Sequence, residues 1–431
     1  MAPPAWVSEN RLTPEERKQL ARERVTEILE KQAREAKDAN MTIAIQPSRA
    51  PAVQSPSTPI LGVSLQRLHL AQPSNSPATQ EKKRRRPSGE SASESTDSSD
   101  LHAPIQSPPK RIQPTWYTSI PQKKLKQASG KRDIDAKLEQ VKNLIKQCKE
   151  MHGDPEIGRV FDRIRDEIHD LVFLQVTDIA LRRKRMLHDD SGIPQLFDDK
   201  SEIVFPWDIQ ADALELYNRW ALRVFSVDLL RGIIKRPTTA GNRSTDRIDP
   251  AYPGKLKADY HGEGSLVNGQ WWPTQLCTVR DGAHGSTQGG IYATKGKPAF
   301  SIVLSGGNHY SDRDEGEEIW YSGTDGKDGK PSENTQSLML NISAGKPVRV
   351  IRSHNPTAGV HRPPRGFRYD GCYEVLSYTV LDSTKMSCLF HLTRKEGQDP
   401  IRSRGKEMRP TTAEIREYDK FKAEIEASER I

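Results

Sequence analysis

Leu138, Val141, Leu144, Ile145, Cys148 and Met151 recur three and four positions apart, the spacing that puts side chains on one face of a helix. Gly153-Asp154-Pro155-Glu156 interrupts the pattern, and Ile157, Val160, Phe161, Ile164, Ile168 and Leu171 resume it. The spacing therefore predicts two consecutive helices with a break between them. A dense apolar patch at 171–174 precedes Arg182-Arg183-Lys184-Arg185, a run suited to a helix end, where positive charge complements the backbone dipole. Ile209, Ala213, Leu216, Tyr217 and Trp220 mark a further helix over 208–225. Residues 131–250 thus read as a small helical bundle.

The periodicity changes at about 255. Apolar and β-branched runs between turn residues, at 275–279, 299–304, 347–351, 373–380 and 387–392, predict strands. Towards the N-terminus, Thr13-Pro14-Glu15-Glu16 signals a helix over 13–40. Its stripe of Leu20, Val25, Ile28 and Leu29 is thin, so that helix is marginal alone. Residues 41–130 hold 12 of the chain's 30 prolines and 15 serines, with Trp116 and Tyr117 as their aromatic residues. Such a stretch cannot bury enough apolar area to offset its ordering entropy, and it reads as disordered. The organisation expected is a leader over 1–130, a helical region over 131–250, a β-rich domain over 255–402, and a charged tail over 403–431 that is either helical or disordered.

Composition excludes several classes. Four cysteines in 431 residues, Cys148, Cys277, Cys372 and Cys388, form no CxxC pair and no His/Cys cluster, which argues against a disulfide scaffold and a structural zinc site. No apolar run approaches the ~18–20 residues of a membrane span, and the first residues show no signal-peptide core. A soluble chain of a reducing compartment is expected, with no metal, no cofactor and no membrane partner. No Ser/His/Asp or Cys/His arrangement suggests catalysis, so the chain reads as a non-enzyme. The net charge of +8 is mild for this length, but residues 341–402 carry 10 basic against 5 acidic residues. Lys82-Lys83-Arg84-Arg85-Arg86-Pro87 suits a nuclear-import groove, a phosphate backbone, or plain solvation; import is the preferred reading. Ser107-Pro108-Pro109-Lys110-Arg111 has the form of a proline-directed phosphorylation site.

Seven segments of the β-rich part follow one another in a telling order. They are VNGQWW at 267–272, DGAHG at 281–285, GGIY at 289–292, AFSIVLSGG at 299–307, EIWYSG at 318–323, KPVRVIR at 346–352 and FRYDGCYEV at 367–375. In this order they resemble the SRA domain (SET and RING associated, also called YDG), over roughly 265–402. The resemblance implies an α+β architecture: an SRA/PUA-like curved β-barrel with flanking helices, preceded here by the helical bundle and the disordered N-terminal region. It also implies binding of double-stranded DNA carrying 5-methyl- or 5-hydroxymethylcytosine, by flipping the base into a pocket. The lack of RING, PHD, SET or nuclease patterns, with the Ser/Pro leader and charged tail, suggests a fungal-type architecture linked to chromatin. The helical region is faintly similar to the N-terminal helical domain of transcription elongation factors of the TFIIS type; a structural bundle flanking the β-rich domain is the preferred reading, and the region is also a place for chromatin proteins to dock.

The residues suit that chemistry. A flipped base needs flat faces to stack on, a partner for its pairing edge, and close backbone approach. Gly306, Gly307 and Gly323 permit the approach, Tyr321 offers one ring, and His309 or Tyr310 the other. Asp312 is a suitable acceptor for the exocyclic amine of cytosine. The family's loop, SGGYEDD.D.G, is one residue longer here. Counting back from Gly316 puts Asp312 on the pocket aspartate and His309 on the stacking tyrosine; counting forward from Gly307 puts Ser311 on the aspartate. Asp312 is preferred because serine loses the charged acceptor. Tyr321 and Ser322 match the second stacking tyrosine and its hydroxyl neighbour, while Asp314, Glu315, Glu317 and Glu318 read as solvated charges. The resemblance places a gap-filling finger at Ser286-Thr287-Gln288, with Thr287 and Gln288 at its tip, and a shortened second finger at 327–333 with Lys327 and Lys330. Arg349, Arg352, Arg365 and Arg368 are phosphate contacts or structural ion pairs. Tyr369-Asp370-Gly371 reads as a structural turn. Burying one methyl contributes only ~0.8 kcal/mol, about fourfold, so the preference for methylated over plain cytosine should be under tenfold. The competing reading is a scaffold whose SRA fold has lost base flipping.

Overall fold

Two aromatic side chains, Trp116 and Tyr117, start the packed part of the chain. Tyr117 is fully buried, and the Trp116 Nε1 donates to the Ala221 carbonyl at 2.8 Å. The computed structural model describes residues 113–127, 132–198, 201, 203–235, 246–306, 311–355 and 359–428. The helix expected at 13–40, the basic run Lys82, Lys83, Arg84, Arg85 and Arg86, and the Ser107 motif lie outside them. The disordered leader was expected to reach 130. It does not, because α1 (Thr115–Thr118) and α2 (Gln122–Gln127) precede the bundle and Tyr117 fills its core.

The period-reading of the bundle holds. Helix α3 (Arg132–Glu150) buries Leu138, Val141, Leu144, Ile145 and Cys148. Helix α4 (Ile157–Leu171) buries Val160, Ile164, Ile168 and Leu171. A short α5 (Asp178–Arg183) is capped by the Thr177 hydroxyl and ends in Arg182 and Arg183, as the dipole favours. Helix α6 (Trp207–Ala221) turns Ile209, Ala213, Leu216, Tyr217 and Trp220 inward. One apolar core joins them.

Strands β1 (Ile233–Ile234) and β2 (Arg247–Ile248) form a small separate ladder. After β3 (Trp271–Trp272) the first correction among the strands appears. The segment expected as a strand at 275–279 is a helix, α7 (Gln275–Arg280), capped by the Thr274 hydroxyl. An apolar run this short carries too little periodicity to separate the two states, and the cap decides it.

The main sheet runs β4 (Ile291–Tyr292), β5 (Ser301–Leu304), β8 (Val348–Ser353), β9 (Phe367–Asp382), β10 (Ser387–Arg394), β7 (Glu318–Ser322) and β6 (Arg313–Asp314), with β3 pairing to β9. Only β5 and β8 are parallel; every residue of both is buried, as expected of a pair covered on both faces. Helix α8 (Glu333–Ala344) packs Leu338 and Ile342 on one face of the sheet, while Trp272, Cys277, Ala283 and Tyr369 form a second core with Leu230 and Leu266. The architecture is α+β, a mixed sheet with flanking helices. It is open, with β4 and β6 as its edges, rather than a closed barrel.

The tail is helical over α9 (Thr412–Ser428). The residues before it tie sheet to bundle. Arg402 and Arg409, both buried, converge on Asp212 of α6, with Arg402 Nη2 2.9 Å from Oδ2 and Arg409 Nη1 2.8 Å from Oδ1; His169 Nε2 adds a third contact at 2.8 Å. Burial alone would raise the Asp212 pKa, but Arg402 and Arg409 hold it well below the carboxylate range.

Candidate nucleic-acid interface

The lead into β6 and strand β7 bring Asp312 and Ser322 together among the expected pocket residues. Gly307, His309 and Tyr310 lie outside the described residues. Asp312 lies just before β6, and its Oδ1 accepts from the Ser322 backbone N–H at 2.7 Å. Its Oδ2 accepts no hydrogen bond among the described residues. Ser311, the alternative acceptor, is exposed. Burial pushes the Asp312 carboxyl above its ordinary range, against the opposing pull of Ser322 and Arg362. The Ser322 hydroxyl is buried beside this carboxylate, close enough to favour its charge, yet without a hydrogen bond of good geometry.

Tyr321 packs in the sheet core at 5% exposure, its hydroxyl donating to the Val303 carbonyl at 3.5 Å. A Cβ on Gly290 would sit 2.5 Å from that hydroxyl, so Gly290 is what lets β4 pass the ring. Gly323 has its closest neighbours in Thr335 and Phe390; its missing side chain makes room for α8 rather than for a ligand.

The first finger is a pinned turn. The Gly289 N–H donates to the Ser286 hydroxyl at 2.7 Å, and the Gln275 amide of α7 donates to the carbonyls of Ser286 and Gly289, both at 3.0 Å. His284 Nε2 holds the Gly289 carbonyl at 2.9 Å, and its Nδ1 meets the Ser301 hydroxyl at 2.8 Å. Burial drives the His284 pKa down to about 4, so the ring is neutral near pH 7. Thr287 and Gln288 stand exposed at the tip.

The second finger does not project freely. Gly326 and Gly329 donate to the carbonyls of Lys385 (2.6 Å) and Thr384 (2.9 Å) in the β9–β10 turn, and Lys327 and Lys330 close a tight turn on each other. Lys327, Lys330 and Lys385 are all exposed there. Lys385 escaped the sequence reading because its hairpin lies 58 residues beyond Lys327 in sequence and meets the finger only in the fold.

Comparison with known proteins supplies the family. The SAD/SRA domain family model matches residues 262–398. Those residues form an SRA domain. Similar curated proteins are the E3 ubiquitin-protein ligase ORTHRUS 2 of Arabidopsis thaliana, 32% identical over 145 residues (30% of this chain, 22% of that protein), and a UHRF1-like protein of Cryptococcus neoformans, 31% identical over 156 residues (31% of this chain, 45% of that protein). The chain thus spans less than half the length of either relative. Among solved structures, the SUVH5 SRA domain bound to fully hydroxymethylated CG DNA is 27% identical, covering 33% of this chain and 98% of that one, with a TM-score of 0.28.

Three of the four arginines expected on phosphates are interior to this SRA domain. Arg349, Arg352 and Arg368 have no exposed surface. Arg349 donates to the carbonyls of Ala258 (2.7 Å) and Ala283 (3.1 Å) and lies 3.8 Å from the Tyr260 ring. Arg352 holds Asp314, Asp370 and the Tyr373 hydroxyl; Arg368 holds Asp370 and the carbonyls of Arg402 and Arg409. Their donors are spent on the fold. Arg365 does reach the surface, 3.5 Å from Asp419. Asp314 is likewise corrected: its side chain is 2% exposed, not solvated, and Arg352 and Arg362 hold its pKa down against burial. Glu315 and Glu317 are exposed as expected. The segment Tyr369-Asp370-Gly371, expected as a turn, is part of strand β9, and Arg368 and Asp370 of this signature belong to a buried ion network with Arg352. Gly371, at φ +101°, completes it, since a Cβ there would lie 2.5 Å from Gln398 Oε1.

Proposed function

We propose that this chain reads modified cytosine in double-stranded DNA by swinging the base out of the duplex. The observation that carries the reading is Asp312. One carboxylate oxygen is fixed by the Ser322 N–H and the other accepts no hydrogen bond among the described residues, in a partly buried place where a charge-assisted bond to the cytosine amine contributes roughly 1.5–3 kcal/mol. The pinned finger supports it: Gln288, held at the tip by Gln275 and His284, is pre-organised to enter the gap a flipped base leaves. Lys327, Lys330, Lys385 and Arg365 supply the phosphate contacts. Nuclear import runs through Lys82, Lys83, Arg84, Arg85 and Arg86, and the helical region is the place for chromatin protein partners. The ligase activity in the relatives' names is not part of this reading.

The test is a fluorescence-anisotropy titration with matched duplexes holding plain, hemimethylated, fully methylated or hydroxymethylated cytosine, at two salt concentrations. A severalfold preference for a modified duplex, lost in Asp312→Ala, supports the reading. A second reading, a scaffold that has lost flipping, is favoured by the deep packing of Tyr321. It requires equal weak affinity for all four duplexes with a steep salt dependence.

A further inference from the structure

A cavity of about 210 Å³ lies where the helical bundle meets the SRA domain. Leu229, Leu256, Leu266 and Trp272 give it apolar walls, and Leu222, 54% exposed, stands at its opening. Its lining includes neither Asp312 nor any residue of the fingers, and Arg280, the last residue of α7, forms part of its wall.

Three guanidinium groups line this cavity, and their partners are unequal. Arg280 is matched, with Nε and Nη2 each 2.7 Å from a different oxygen of Asp281. Arg231 shares that same carboxylate, at 2.9 and 3.1 Å, and its buried Nε has no acceptor. Among the described residues Arg219 meets no carboxylate by hydrogen bond; it donates to the carbonyls of Val224 (3.3 Å) and Ser226 (2.5 Å). Burial, then repulsion from Arg231, pulls its pKa down to about 10. Two further acids line the cavity, Glu215, one helical turn before Arg219 on α6, and Glu414; both are bonded to Arg409, at 2.9 and 2.5 Å. Asp281 thus serves Arg280 and Arg231 by hydrogen bond, whereas Arg219 feels Glu215 and Asp281 without a hydrogen bond to either among the described residues. Buried charge without a partner is costly, and an apolar cavity with a few convergent polar groups is the usual form of a small-molecule site.

We infer that this cavity binds a small organic anion, a flat apolar body bearing one carboxylate-like head, with the head between Arg219 and Arg231 and the body against Trp272 and Leu266. An arginine fork suits such a head. Seated there, the ligand touches bundle and SRA domain together.

The experiment is isothermal titration of the full chain, without DNA, using 2-naphthoate and its neutral isostere 2-naphthamide as probes. The expected result is one saturable site for naphthoate, with naphthamide at least tenfold weaker. Arg219→Gln should weaken naphthoate at least tenfold and leave naphthamide unchanged. Absence of saturable naphthoate binding, equal affinity for acid and amide, or full naphthoate affinity in a folded Arg219→Gln variant overturns the inference. Should Arg219→Gln fail to fold by circular dichroism, Arg231→Gln and the acid–amide comparison on the parent protein decide it. No DNA is present, so this result stands or falls apart from the base-flipping reading.

Discussion

Arg352 and Asp314 join β8 to β6 by two bonds, Nε to Oδ2 at 2.9 Å and Nη2 to Oδ1 at 2.8 Å, with neither side chain more than 2% exposed. This pair sets the position of the chain just after Asp312. The same guanidinium also reaches Asp370 at 3.0 Å and the Gly316 carbonyl at 2.7 Å, so the loop that carries the candidate acceptor is fastened to the middle of the sheet.

Breaking this pair should be expensive. Asp314→Ala leaves Arg352 buried with two of its five hydrogen bonds gone, and a loss of about 3–5 kcal/mol is expected in urea unfolding. Arg365→Ala, which removes only an exposed pair with Asp419, should cost less than about 1 kcal/mol. Similar losses in the two variants would contradict the buried role of Arg352.

Asp312 should make recognition acid-sensitive. Its pKa is raised by burial, so the carboxylate needed as acceptor is lost at a higher pH than for an ordinary aspartate. For stability the sign is opposite to that of a salt-bridged acid: the folded state favours the protonated form, a contribution present below the unfolded pKa of about 3.9 and lost as pH rises through the raised one. Preference for modified duplexes should therefore fall between neutral and mildly acidic pH. Asp312→Asn should show a flat profile at a tenfold or greater loss of affinity, about 1.5–3 kcal/mol. A parent profile as flat as the variant's would remove Asp312 from the site.

His284 predicts a pH-dependent fold. Its pKa, about 4 in the folded protein, is below the unfolded value of about 6.5, so its contribution is complete above 6.5 and declines as pH falls towards 4. The full effect is on the order of 3 kcal/mol, from about 1.4 kcal/mol per pKa unit. Unfolding at pH 7.5, 6 and 5 should show this slope in the parent and a reduced one in His284→Gln. That variant should also lose affinity for DNA, because the finger is no longer held at the Gly289 carbonyl.

Asp212 tests whether the bundle is fastened to the SRA domain. Asp212→Asn leaves Arg402 and Arg409 facing a neutral group in a buried place, and a loss of about 3–5 kcal/mol is expected. Limited proteolysis should then cut between 226 and 260 faster than in the parent. Unchanged cleavage would mean the apolar contacts alone hold the two parts together.

The second finger bears on salt dependence. Lys327→Ala, Lys330→Ala and Lys385→Ala should each lower the slope of log affinity against log salt by about 1 and weaken all duplexes alike. A change confined to modified duplexes would assign these lysines to base recognition instead.

Much of this protein was readable in the residues themselves. The 3–4 spacing of Leu138 to Cys148 and of Val160 to Leu171 needed no fold to interpret, because a helix face is a local property. The ordered motifs from 267 to 375 carried the SRA family for the same reason: they are strings. Partnerships between distant residues were not readable. The pairing of β8 with β9 brings Arg352 to Asp370, which Arg368 already meets from two residues away on the same strand, and no string of residues shows that Arg349, Arg352 and Arg368 face inward while Arg365 does not. The helix at Gln275–Arg280 depended on a cap, and the meeting of Lys385 with Gly326 on a hairpin returning from far along the chain. Chain-local geometry is set by neighbours in sequence, whereas burial of a charge is settled by which counter-charge the tertiary structure delivers.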